Sequence, residues 1–221
     1  MTQRIVQLLM FISFFSLKDM AADRIFSLKG TIGDKQYDGL YIYMIKNDIV
    51  ARDKNHTLDS CRIENGMFHF RKTVKQGFSP YVVTLALPPK NEHFSYGLPD
   101  AYCVVEEGNV SLDYTPLGIA IAGGTVNSGY DSLVLKSYRD IKQKTESMIK
   151  KRDILEKQNK LSPPLIDRYN AYIDSLYKTG RPDYIKFVAQ NIHNDVGAFF
   201  FFNYPPSNYP RDIYSELLKE V

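Results

Sequence analysis

The sequence has no tryptophan, two cysteines and four histidines among its 221 residues. The cysteines, Cys61 and Cys103, lie forty-two positions apart. Thiol–disulfide exchange uses an attacking thiolate with a resolving thiol close by, and this spacing does not supply one. The histidines, His56, His69, His93 and His193, show no His-x-x-x-His or Glu-paired spacing of the kind zinc sites use. No Gly-x-Ser-x-Gly elbow is present, and Gly123-Gly124 is not followed by the Lys-Ser/Thr of a phosphate loop. Charge of one sign is also missing. Twenty-eight basic against 25 acidic residues leave a net +3, too weak to imply nucleic acid or an anionic membrane surface. Beyond the first twenty residues no stretch is long and apolar enough to cross a bilayer.

The N-terminus has the order of a secretory signal. Arg4 gives a positive start, Ile5 to Leu17 is mostly apolar, and Ala21-Ala22 offers small residues for cleavage. Residues 1–22 are therefore expected to be a signal peptide, the other reading being a buried N-terminal helix. No Cys follows the leader, so a lipid anchor at such a Cys is not supported. The expected location is the periplasm or cell envelope. The rest is globular in composition, 44% hydrophobic and 24% charged, with sixteen Tyr and thirteen Phe. It has room for one medium domain with a helical extension.

From Arg24 to about Thr125 the dominant period is two. Phe26, Leu28, Gly30 and Ile32 alternate with polar residues, and Tyr41, Tyr43 and Ile45 alternate after Asp38-Gly39. Asn65-Gly66 predicts a type I′ turn between two strands, with Phe68 and Phe70 on one face and His69 on the other. Tyr81 to Leu87 reads as a strand covered on both faces. Tyr102–Val105 and Val110–Tyr114, around Glu107-Gly108-Asn109, read as a second hairpin, and Ile119 to Ala122 closes the series. Roughly eight short strands with closely spaced turns predict a β-sandwich or Greek-key barrel over residues 24–126.

After Asn127 the period changes, and residues 128–221 are expected to form an α-helical extension. Val134, Tyr138, Ile141, Thr145, Met148, Arg152 and Leu155 mark the seam of an amphipathic helix. Its basic face, broken by Asp140, Glu146, Asp153 and Glu156, reads as a solvated surface. Ser162-Pro163-Pro164 opens a second helix that Gly180 is expected to stop, giving an αα-hairpin. Pro182 to His193 reads as a short third helix and Arg211 to Val221 as a last one. Phe199 to Phe202 is either a contact surface or packing against the long helix and the sheet.

The β region resembles DUF4369, the N-terminal domain of unknown function of exported thioredoxin-like proteins of Bacteroidetes. The resemblance rests on Phe26-Ser27-Leu28-Lys29-Gly30, Asp38-Gly39-Leu40-Tyr41-Ile42-Tyr43 and the segment from Asp59 to Phe70. It continues through Glu106-Glu107-Gly108-Asn109-Val110 and Gly123-Gly124-Thr125-Val126-Asn127, and the helical part looks like the linker that follows such domains. The resemblance implies a redox domain with Cys-x-x-Cys further along. The sequence given stops before one, so the relatives' redox activity is not carried over.

No catalytic, cofactor-binding or metal-ligating residue is nominated, and the chain is not expected to be an enzyme. Cys61 and Cys103 are either a structural disulfide or core-filling thiols. Adjacent Glu106 and Glu107 would face opposite sides of a strand, so a tight turn explains them better than acid–base chemistry. Asn55-His56-Thr57 and Asn109-Val110-Ser111 fit a glycosylation triplet that means little in the bacterial setting the resemblance implies. The expected function is an exported non-catalytic scaffold or docking module, with a thioredoxin-like protein or domain as partner. The alternatives are an envelope protein binding glycan or peptide, and an oxidoreductase lacking its catalytic half.

Overall fold

The computed structural model describes residues 24–47, 56–75, 77–87, 98–204 and 208–221. The leader, His93, Pro88-Pro89 and Pro205-Pro206 lie outside the described residues. Eight strands among the described residues form two four-stranded sheets, a β-sandwich followed by helices. They are β1 (Arg24–Ile32), β2 (Tyr41–Lys46), β3 (His56–Arg62), β4 (Met67–Val74), β5 (Tyr81–Ala86), β6 (Ala101–Val105), β7 (Gly108–Thr115) and β8 (Gly118–Ala122). One sheet has the order β4-β1-β7-β8, with β1 and β7 parallel, and the other β3-β2-β5-β6.

The period-two reading holds where one face is core. Phe26, Leu28 and Ile32 point inward from β1, and Phe68 and Phe70 point inward from β4 while His69 is exposed. Gly30 shares the inward row because the Phe68 ring lies over it: a Cβ there would stand 1.8 Å from Cζ. Asn65 and Gly66 have φ of 52° and 70°, as a type I′ turn requires. β5 buries the adjacent Val82 and Val83, one toward each face.

Two hairpin expectations need correction. β6 and β7 do not pair: β6 is an edge of one sheet beside β5, and β7 lies inside the other between β1 and β8. The chain crosses between sheets at Glu106-Glu107. The Asn65-Gly66 turn likewise closes a single bridge, Glu64 to Met67, before β3 and β4 diverge into different sheets.

The helices are α1 (Thr125–Tyr130), α2 (Lys136–Lys157), α3 (Pro163–Asn191), α4 (Asp195–Asn203) and α5 (Arg211–Glu220), with a π turn over Asp131–Leu135 joining the first two. Helix thus begins before Asn127, not after it. The α2 seam holds only in part: Ile141 and Thr145 are buried, Met148, Arg152 and Leu155 half-buried, Tyr138 exposed, and Val134 lies in the π turn; Thr145 satisfies its hydroxyl on the Ile141 carbonyl at 2.9 Å. Gly180 does not end α3, and the expected third helix is its continuation, Pro182 lying inside it. Pro182 gives up one backbone hydrogen bond. Burial outweighs that loss: Tyr184, Phe187 and Val188 beyond it are buried against the sandwich. Gly180 itself brings α3 close to α2, where its Cβ would stand 3.3 Å from Ser137 Cβ.

Phe199, Phe200 and Phe201 are buried and Phe202 is exposed, so the aromatic run packs inward and supplies little open surface. Phe200 lies 4.8 Å from Tyr130, 5.3 Å from Phe187 and 6.2 Å from Tyr102, centroid to centroid. One hydrophobic cluster runs from Phe26 through Val83 and Val104 to Phe187, Phe201 and Leu217. Each fully buried Phe contributes about 2–3 kcal/mol, so sandwich and helices share a core.

Candidate functional site

The densest polar constellation lies where the chain just after β6 meets the start of α1. Gly124 precedes the helix and has no side chain to cap it. The first turn of a helix leaves N–H groups without partners and attracts negative charge. Glu106, only 7% exposed, supplies both. Its Oε2 accepts from Thr125 N and Val126 N at 2.8 and 3.0 Å, and its Oε1 from Asn127 N and Asn127 Nδ2 at 2.8 Å each. Asn127, fully buried, uses the rest of its amide on β6. Val104 N donates to Asn127 Oδ1 at 2.9 Å, and Asn127 Nδ2 donates to Val104 O at 2.7 Å. The side chain thus takes the place a neighbouring strand would have.

The other strand edge on this side, β8, is finished in the same manner. Asp131 Oδ1 accepts from Ile121 N at 2.9 Å, and Arg139 Nη1 donates to Ile119 O at 2.6 Å. Asp131 and Arg139 pair with each other through two bonds of 2.7 and 2.8 Å. The π turn gives the helix an extra residue here, so Tyr130 and Val134 face the core while Asp131 and Arg139 reach β8. Burial alone would raise the Asp131 carboxyl. The hydrogen bonds from Arg139 and Ile121 N, with the Arg139 charge, hold it below the ordinary value. A carboxyl depressed on folding contributes stability that is complete above the unfolded pKa and lost as pH falls through the folded one. The Asp131→Asn variant is expected to be less stable at neutral pH and to show a shallower loss below about pH 4. Urea unfolding at a series of pH values measures it; parallel acid limbs would contradict it.

Farther out, α2 and α3, with Tyr204 and Asn208, line a cavity of about 190 Å³. Val134, Ile141 and Tyr184 are its buried lining, and Tyr138 and Tyr177, 45% and 49% exposed, stand at its mouth. Arg181 and Asn208 also line it, joined by a 3.3 Å bond from Arg181 Nη2 to Asn208 Oδ1. Arg181 Nε is buried with no hydrogen-bond partner. Two wider depressions, about 420 Å³ over the outer face of β1 and β7 and about 550 Å³ lined by Arg24, Val74, Phe78, Glu106 and Thr125, are more open.

A family model described as domain of unknown function (DUF4369) matches residues 26–130. That stretch is a DUF4369 domain. No curated protein and no solved structure matches the chain. The DUF4369 match runs four residues past 126, where the change of period sets the sandwich boundary, and so takes in Asn127 as well as Glu106.

Within the DUF4369 domain the residues singled out by sequence are placed apart. Cys61 is on β3 and Cys103 on β6, the two edges of one sheet, with β2 and β5 between them. Three strand spacings are about 14 Å, and a disulfide needs Cα atoms within about 7 Å. The disulfide reading is therefore overturned, and Cys103 is the core-filling thiol. Its thiol is pushed up by burial and by the nearby Glu106 charge. The Cys61 thiol is raised chiefly by burial, with the His69 N–H acting against this and Asp59 adding to it. In the native protein a maleimide is expected to label Cys61 alone, and slowly; denaturation should expose both thiols without reductant. Intact mass before and after labelling measures this, and a mass two hydrogens short would contradict it.

His56 sits at the start of β3, His69 on the outer face of β4 with Nε2 3.0 Å from Ser27 Oγ, and His193 between α3 and α4, so these three are not brought together. Among the described residues no group of three or more His, Cys, Asp or Glu side chains is placed to hold a metal ion. Glu106 and Glu107 do diverge, Glu107 pairing with Arg24 at 2.9 Å on the surface. Gly123-Gly124 is a close approach: a Cβ would stand 2.1 Å from Asn109 O at Gly123 and 2.3 Å from Glu106 Oε1 at Gly124. Arg181 was not singled out by the sequence reading, since Gly180-Arg181-Pro182 looks like the end of a helix.

Proposed function

We propose that the chain is a non-catalytic scaffold of the cell envelope, in which the DUF4369 sandwich anchors a helical arm that docks or positions a thioredoxin-like partner. One observation carries this reading. Four of the arm's exposed apolar residues lie toward the turn that joins its two long helices: Ile149 and Ile154 on α2, Ile166 and Tyr172 on α3, each 37–56% exposed. Apolar surface rimmed by charge is the usual mark of a partner site. The buried and half-buried polar groups agree, since Glu106, Asn127, Asp131 and Arg139 are all engaged in fastening arm to sandwich. The charged start and apolar run of residues 1–22 support export.

Affinity capture of the tagged, exported protein from its own envelope, followed by mass spectrometry, tests the proposal. The expected result is co-purification of a thioredoxin-like protein, lost when Ile149 and Ile154 are both changed to Ser. A monomeric, monodisperse protein that recovers no partner would overturn it.

A further inference from the structure

The arm cavity carries an inference that does not depend on the docking role. A guanidinium is a planar fork of donors suited to a carboxylate. Arg181 presents such a fork at the cavity with one bond, to an amide oxygen, and its buried Nε–H unmet. Among the described residues no carboxylate pairs with it. A buried donor without a partner is costly, and native interiors rarely leave one. The walls do not supply an anion. Burial raises the Tyr138 and Tyr184 hydroxyls, with neighbouring tyrosines adding to it, so both stay neutral. Tyr184 spends its proton on Phe200 O at 2.9 Å and stacks on Tyr204 at 4.1 Å.

The walls also define the rest of the ligand. Val134 and Ile141 are aliphatic, Tyr184 and Tyr204 present stacked ring faces, and Tyr138 and Tyr177 stand 6.4 Å apart at the opening. An apolar cavity of about 150 Å³ is known to admit a benzene ring. At about 190 Å³ this one has room for a ring and one small polar group. We infer that the cavity between α2 and α3 is a binding site for a small planar carboxylate, its acid group on Arg181 and its flat body among the tyrosines. The wider depressions lack this combination, for they are open and no buried polar atom in them is without a partner.

Benzoate and its neutral counterpart benzamide are the probes, titrated into the full-length mature protein by calorimetry and by NMR of the tyrosine rings. Benzoate is expected to bind saturably, with the largest ring shifts at Tyr138 and Tyr177, and benzamide at least about tenfold more weakly. The Arg181→Gln variant should weaken benzoate by about ten- to a hundredfold and leave benzamide unchanged, with Arg181→Lys in between. Equal affinity for the two probes, no saturable benzoate binding, or unchanged benzoate affinity in Arg181→Gln would each overturn the assignment. The comparison of probes on the unaltered protein decides the matter even if Arg181→Gln fails to fold.

Discussion

Glu106→Ala should lower the unfolding free energy by about 3–5 kcal/mol, the largest effect expected of any single polar substitution here. The carboxylate answers three backbone N–H groups and one amide N–H. Ala removes all four acceptor contacts at once, and the side chain that makes them is only 7% exposed. Loss of an ordinary helix cap costs about 0.5–2 kcal/mol, and each buried donor left unmet adds to that. Glu106→Gln is expected to lose less, about 2 kcal/mol, since one oxygen remains while its new NH₂ opposes the donors. Urea unfolding followed by circular dichroism gives both values. A loss below about 1 kcal/mol for Glu106→Ala would mean that the start of α1 finds another acceptor.

A second large loss, about 3 kcal/mol or more, is expected for Gly197→Ala. Gly197 sits in the first turn of α4, capped by the Asn194 side chain, and is buried. A Cβ there would stand 2.1 Å from Asn191 O and 2.5 Å from Ile192 Cα. Those are backbone atoms at the end of α3, so no rotamer change relieves the contact. The substitution pries α4 off its neighbour and with it the buried rings of Phe199 to Phe201. Gly129→Ala is the matched control, because its Cβ meets only the Phe187 ring at 3.9 Å, ordinary contact. It should be neutral or gain up to about 1 kcal/mol from helix propensity. Limited proteolysis distinguishes local from global damage: Gly197→Ala should be cut within Asp195–Asn203 while the sandwich survives. Equal stability of the two variants would contradict the backbone clash.

Gly30 falls between these cases. Its closest neighbour is the Phe68 ring, a side chain, so Gly30→Ala should be rescued in part when Phe68 is also changed to Leu.

Residues that face one side of a sheet announced themselves in the sequence. Phe26, Leu28 and Ile32 alternate because the pleat imposes it, and Asn65-Gly66 marks a turn because both residues must take positive φ. Which sheet a strand joins left no such trace. β6 and β7 are separated by two residues and read as a hairpin, yet β6 pairs with β5 in one sheet and β7 with β1 and β8 in the other. Gly180 and Pro182 looked like a helix end because local propensity is all that a short segment reveals; Tyr184, Phe187 and Val188 carry the helix onward by burial. In the sequence Glu106 looks like part of a turn. Its partners are backbone N–H groups 19 to 21 residues away, which no side-chain motif records. The one available signal was a helix start without a capping side chain at Gly124, which requires an acceptor from elsewhere. The carboxylate cavity was illegible for the same reason: Arg181 comes from α3, while Asn208 lies beyond α4.

The way Asn127, Asp131 and Arg139 finish β6 and β8 has a consequence for handling the domain. A sheet margin with unmet N–H and C=O groups recruits strands from other molecules. A fragment stopped at residue 126, where the change of period invites a cut, would keep every strand and lose all three of these side chains. Two raw margins would then lie side by side, with Val104 on one and Ile119 and Ile121 on the other. Such a fragment is expected to precipitate or polymerise on expression, and the fault would lie in the place of the cut, since Asn127, Asp131 and Arg139 complete both margins.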